Sequence, residues 1–152
     1  MYGGKILGTS VVKKADGGNG TGGALSIMSG SAFTMYGGQI VGGTAENTGA
    51  AVYVDKSGYV NLLGGSIIAG EQAEKLLGMQ AAAAHITLGG EVIVESIHVS
   101  QGGKLQVSSQ QPLTGKASIG ITMESADVFT TVTDKAQSAF FHVLEKDCKL
   151  YV

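Results

Sequence analysis

The chain has 152 residues, 43% of them apolar, with 25 glycines, one proline and a formal net charge of −2. That length suits one domain with a sizeable core, and abundant glycine without proline excludes both collagen and Pro-rich disorder. The chain has no arginine, which argues against nucleic-acid binding and polybasic membrane targeting, and no apolar run reaches the ~18 residues of a spanning helix.

Met1-Tyr2-Gly3-Gly4-Lys5-Ile6 opens the sequence and returns as Met35-Tyr36-Gly37-Gly38-Gln39-Ile40, an offset of 34 (35 − 1). A start in the middle of a repeat reads as a segment cut from a longer chain. The run from Lys13 to Asn19 follows as a solvated insertion that interrupts the period. From Thr21 the repeat is regular. Thr21 to Ile27 is answered by Thr48 to Val54, and Phe33 to Ile40 by Val60 to Ile67, at an offset of 27 (48 − 21 and 60 − 33). A fixed period of this size marks a solenoid, in which no coil buries its own apolar face without a neighbour.

The clearest coil has three short segments, at 51–54, 59–62 and 66–69. They are too short for helices, and their β-branched residues favour strands. Alternation sends Val52, Val54, Val60, Leu62 and Ile67 to one side and Tyr53, Tyr59 and Asn61 to the other. Three strands per coil predict an all-β, right-handed parallel β-helix of about four coils, stacked ~4.8 Å apart. Paired glycines fall at its corners, where positive φ is needed.

Five core columns follow. They are Ile6, Ile40, Ile67 and Ile93; Phe33, Val60, Ile86 and Leu105; Met1, Met35, Leu62, Leu88 and Val107; Leu25, Val52 and Ile97; and Ile27, Val54 and Val99. Between Glu71 and Ala84 lies a second insertion rich in helix formers. A short helix or irregular arm is expected there in place of a strand, with Leu77 and Met79 filling the core at that level. The coil from Ile86 to Leu105 is shortened. After Pro112 the glycine-paired repeat stops, which divides the chain into parallel β-helix repeats (1–113) and a small C-terminal β cap (114–152). The cap is expected to contain strands near 117–123, 128–133, 140–144 and 149–152, and it would cover one open end of the coil stack. The other end is left bare, so self-association through the uncapped N-terminal coil is expected.

Gly22-Gly23-Ala24-Leu25-Ser26-Ile27, followed by Phe33-Thr34-Met35-Tyr36-Gly37-Gly38-Gln39-Ile40-Val41-Gly42-Gly43-Thr44, resembles the Gly-rich right-handed β-helix repeats of large bacterial cell-surface, adhesin-like proteins, as in gut Firmicutes. Ile97-His98-Val99, Gly102 to Val107, Pro112 to Gly115 and Ile119-Gly120-Ile121 resemble the way such repeat blocks end. The resemblance covers roughly residues 1–123. It implies a pectate-lyase-like solenoid and an extracellular, cell-wall-attached or secreted location. It carries no catalytic motif onto particular positions here.

The chemistry-bearing residues are sparse. Lyases on this scaffold need a carboxylate cluster for Ca²⁺ and a basic residue, typically arginine, whereas Asp16, Asp55, Asp127, Asp134 and Asp147 are scattered. Hydrolases need acids stacked on adjacent coils, and one coil beyond Asp55 the sequence offers Ala81 or Ala82. Glu91 with Glu95, or Glu71 with Glu74, supplies too few oxygens for Ca²⁺ and reads as solvated charge. Cys148, the only cysteine, lies near His142. A Cys–His nucleophile pair is conceivable there, but a lone strand cysteine reads as a small hydrophobe. Gly18 to Gly23 matches a dinucleotide fingerprint, yet a strand follows where the fingerprint needs a helix. Asn19-Gly20-Thr21 is a glycosylation sequon, meaningful only in a source that glycosylates secreted proteins.

Tyr36, Tyr53 and Tyr59 are expected outside or at corners, where stacked aromatics can grip sugar rings; ordinary strand propensity of tyrosine is the competing explanation. The sequence therefore leads to a non-enzymatic stalk or adhesin-like surface with no cofactor and no metal. Its expected partners are host or dietary glycans, including mucin. The alternative is a fragment of a secreted polysaccharide lyase or glycoside hydrolase whose catalytic coils lie elsewhere, and a fibre-like homo-oligomeric element is a third reading.

Overall fold

A computed structural model describes residues 1–11, 20–45, 49–70, 76–80, 83–125, 128–130 and 134–144. The insertion 13–19, the 71–75 segment and the stretch 145–152 lie outside these residues. Also outside them are Asp16, Asn19, Glu71, Glu74, Ala81, Ala82, Asp127, Asp147, Cys148, the end of the strand expected at 128–133 and the strand expected at 149–152.

In chain order the strands are β1 (Lys5–Leu7), β2 (Ser10–Val11), β3 (Leu25–Ile27), β4 (Ala32–Met35), β5 (Gln39–Val41), β6 (Thr44–Ala45), β7 (Val52–Val54) and β8 (Tyr59–Leu62). They continue with β9 (Ser66–Ile68), β10 (Leu77–Met79), β11 (His85–Leu88), β12 (Ile93–Val99), β13 (Leu105–Val107) and β14 (Ser118–Met123). A single helical turn, α1 (Lys135–Ser138), precedes β15 (Phe141–Val143). Every strand pairing among the described residues is parallel. The chain is a nearly all-β parallel solenoid of about four turns.

Three strips of strands run along it. β1, β5 and β9 form the first, β3, β7 and β10 the second, and β4, β8, β11 and β13 the third. β2 pairs only with β6. The expected columns stack as strand register. Phe33, Val60, Ile86 and Leu105 are aligned, as are Met35, Leu62, Leu88 and Val107. Leu25 aligns with Val52 and Ile27 with Val54. Met35, Ile40, Val52, Leu62, Ile67, Ile86, Leu88 and Ile97 are fully buried. Burying a side chain of this size contributes about 1.5–3 kcal/mol, which makes the shared interior the main stabilising feature.

Two expectations are corrected. Val94, not Ile93, completes the column of Ile6, Ile40 and Ile67, because Val94 pairs with Ile67 and is fully buried. The corner between β11 and β12 is one residue longer than the one before it, and the extra length also buries Val92. In a strand of period two, one added residue exchanges the inward and outward sets. The second correction concerns the insertion after Glu71. No helix or arm replaces the strand at this level, because Leu77, Gly78 and Met79 form β10 in register with Val52, Tyr53 and Val54. Leu77 and Met79 do fill the core, as expected.

β12 joins the first two strips. Its start pairs with β9 and its end with β10. Its register against β14 shifts between Val94 and Ile97, so Glu95 and Ser96 stand opposite Gly120 in a bulge. The extra residue lets Val94 and Ile97 both point inward. A Cβ on Gly120 would collide with the Glu95 carbonyl oxygen.

Beyond Pro112 the coil continues in altered form. β14 stacks parallel on β12, and β15 on β14. Leu105 donates its N–H to the Phe129 carbonyl at 2.7 Å. The Phe129 and Phe141 rings meet at 5.6 Å between centroids, tilted by 58°. The Gln137 side chain accepts from the Leu113 N–H at 2.8 Å and donates to the Leu113 carbonyl at 3.2 Å, as a neighbouring strand would. Asp134 caps α1 by accepting from the Ala136 N–H at 2.9 Å.

Candidate binding face

The third strip has an interior face of Phe33, Met35 and packed aliphatics and an exterior face with three rows. Strand alternation places Ala32, Tyr59 and His85 in one row and Thr34, Asn61 and Thr87 in the next. Tyr36 and Leu63 continue past the ends of β4 and β8, where the Leu63 N–H donates to the Met35 carbonyl at 2.8 Å. Tyr2 joins that last row because Met1 runs beside β4: the Tyr36 N–H donates to the Met1 carbonyl at 2.7 Å. The face thus has aromatic margins separated by a polar row. Two residue steps lie on each side of that row, which places the margins ~13 Å apart along the strands.

Each margin is a stacked pair. Tyr2 and Tyr36 lie 4.8 Å apart between ring centroids with 11° between planes. Tyr59 and His85 lie 4.5 Å apart with 5° between planes. Both separations are close to the strand spacing of ~4.8 Å, so the rings form a ladder along the solenoid axis with their edges toward solvent. In the middle row the Asn61 amide donates to Thr34 Oγ1 at 3.3 Å. Tyr36 and Tyr59 are 45% and 47% exposed, as the sequence led one to expect.

Tyr53 is different. It is only 7% exposed and cannot offer a ring face to a ligand. Its partners across the sheet are Ser26 and Gly78, and Gly49 lies close against it, where a Cβ would stand 2.8 Å from Tyr53 Cβ. Burial raises the pKa of its hydroxyl, and the nearby Asp55 charge adds to the effect.

Sequence reasoning missed Tyr2 and His85 as members of this face. Both had a signal. The offset of 34 that matches Met1 to Met35 also places Tyr2 on Tyr36. The column of Val60 and Ile86 places His85 beside Tyr59.

Among the described residues the acids do not converge. Asp55 accepts from Ser29 Oγ at 2.7 Å and from the Ser29 and Lys56 N–H groups at 3.2 and 2.8 Å. These bonds, led by the Ser29 hydroxyl, lower its pKa. Its role is to tie one turn to the turn of the coil before it. Glu95 accepts from the Ala69 N–H at 2.6 Å, and Glu124 from the Gln101 N–H at 2.9 Å, in the same manner. His98 Nδ1 lies 3.2 Å from Thr122 Oγ1. Among the described residues no three His, Cys, Asp or Glu side chains gather as a metal site, and no helix is long and apolar enough to cross a membrane.

No family model, curated protein or solved structure matches this chain.

Proposed function

We propose that this chain is a non-catalytic segment of a bacterial surface or secreted repeat protein, a stiff stalk that displays an adhesin-like, glycan-contacting face. The observation that carries this reading is the pair of exposed aromatic stacks bounding a polar row on one sheet. Sugar rings combine apolar C–H faces with hydroxyl rims, and aromatic margins beside Thr and Asn side chains complement both. Stacked parallel coils suit a stalk because each coil is held by its neighbours along the whole length. The extracellular location rests on the likeness of the glycine-paired repeats to those of cell-wall-attached and secreted proteins. Host or dietary glycans, including mucin, are the partners this location would supply.

The test is binding of the purified chain to an array of mucin, host and plant-cell-wall glycans. Saturable binding that falls on Tyr59→Ala or Tyr36→Ala is expected. An array with no bound glycan would remove the adhesive part of the proposal.

A further inference from the structure

The two aromatic ladders are not equivalent. Tyr36 has Tyr2 stacked on one side and Leu63 of the next coil level with it on the other. Tyr59 has His85 stacked on one side, but its partner on the other side is Ala32. A methyl group stands about one bond above the sheet and cannot cover a phenol ring. One face of Tyr59 is therefore open, above an exposed alanine floor. Thr34 and Asn61 lie two residues further along the same strands, ~7 Å away. Their mutual hydrogen bond leaves the Thr34 hydroxyl proton and the Asn61 amide oxygen available. None of these side chains is charged.

We propose that the slot over Ala32, walled by the free face of Tyr59, binds one uncharged pyranose ring of an oligosaccharide, with Thr34 and Asn61 bonding its hydroxyls. This rests on the glycan-contact reading above and narrows it to one platform and one ligand class. The apolar C–H face of a neutral pyranose stacks on the ring without needing a counter-charge. A uronate polymer would require cations beside the slot. The Met1 ammonium beside β4 is taken up by the Thr34 carbonyl at 2.6 Å, His85 lies behind the stacked ring, and Lys104, level with it on the following strand, is further away still.

The experiment titrates the chain with neutral cello-, xylo- and galacto-oligosaccharides and, in parallel, with oligogalacturonate, reading saturation-transfer NMR and tyrosine fluorescence. The chain has 5 tyrosines and no tryptophan, so the emission reports the tyrosines alone. At least one neutral oligosaccharide should bind, and oligogalacturonate should bind at least about tenfold more weakly. Tyr59→Ala should weaken the neutral ligand about tenfold, the upper range of an aromatic stacking contact. Tyr59→Phe, which retains the ring, should stay within about threefold. Ala32→Leu fills the slot and leaves Tyr59 and the core untouched, so it should weaken binding as much as Tyr59→Ala. Binding unchanged in Ala32→Leu and Tyr59→Ala would overturn the slot and leave a glycan surface elsewhere on the chain. Equal or tighter binding of oligogalacturonate would overturn the neutral ligand class. No binding of any oligosaccharide to the unmodified chain would overturn both the slot and the glycan-contact reading on which it rests.

Discussion

Asp55 shows how single residues lock one coil to the next. Its carboxylate accepts three hydrogen bonds, two of them from Ser29 in the preceding coil. Its folded pKa is lowered from the ordinary 3.8. A lowered acid contributes stability that is fully present above the unfolded value and is lost as the pH falls through the folded one. Asp55→Ala should therefore lower the melting temperature at neutral pH, and the gap to the unmodified chain should close in acid, below about pH 4. Tyr53 acts at the other end of the scale. Its raised pKa means that its contribution is present below about pH 10 and is lost as the pH rises through the folded value. In an ultraviolet titration, Tyr53→Phe should remove a late-ionising component. Corner glycines are equally specific. Gly65 has φ +84, and a Cβ there would stand 2.6 Å from the Gly38 carbonyl oxygen, which explains why glycine pairs mark this corner.

Element boundaries depend on packing between coils more than on local pattern. The run Val92-Ile93-Val94 is apolar throughout, so alternation alone does not say which residues point inward. Contact with β9 decides it, with Val94 opposite Ile67 and Ile93 opposite Ser66. Val94→Asp places an unpaired charge in the core and should prevent folding or cost several kcal/mol. Ile93→Thr, at a half-buried position, should cost about 1 kcal/mol. Equal losses in urea unfolding would contradict this register. Leu77-Gly78-Met79 teaches a related lesson. The preceding helix formers suggested an arm, but Leu77 and Met79 supply the two inward side chains that Val52 and Val54 need above them. Tertiary demand outweighs local propensity there. Alternation gives Tyr53 a direction away from the core, whereas its exposure depends on what lies over the outer face, where Gly49 approaches it closely.

At the scale of the whole molecule, the ends of the stack matter most. Among the described residues β1, β3 and β4 each pair with a strand on one side only. Leu7 on β1 is 64% exposed and Met28 after β3 is 55% exposed. At the opposite end β14 and β15 extend the parallel stacking past Pro112, with Phe141 continuing the column of Val94 and Ile119 and Phe129 packed against its ring.

The repeat alone determined the architecture: a constant offset with like residues at like positions leaves stacked parallel coils as the economical way to bury every apolar column. It also located Tyr36 and Tyr59 on the outside. Tertiary structure decided the register at the β11–β12 corner, the burial of Tyr53, the stacking of Tyr2 and His85 on their neighbours, and the open face of Tyr59 above Ala32. Each of these depends on which side chain lies one coil away, a neighbour between 25 (78 − 53) and 34 (36 − 2) residues distant in the chain. Insertions of a single residue change that neighbour, and no local pattern records the change.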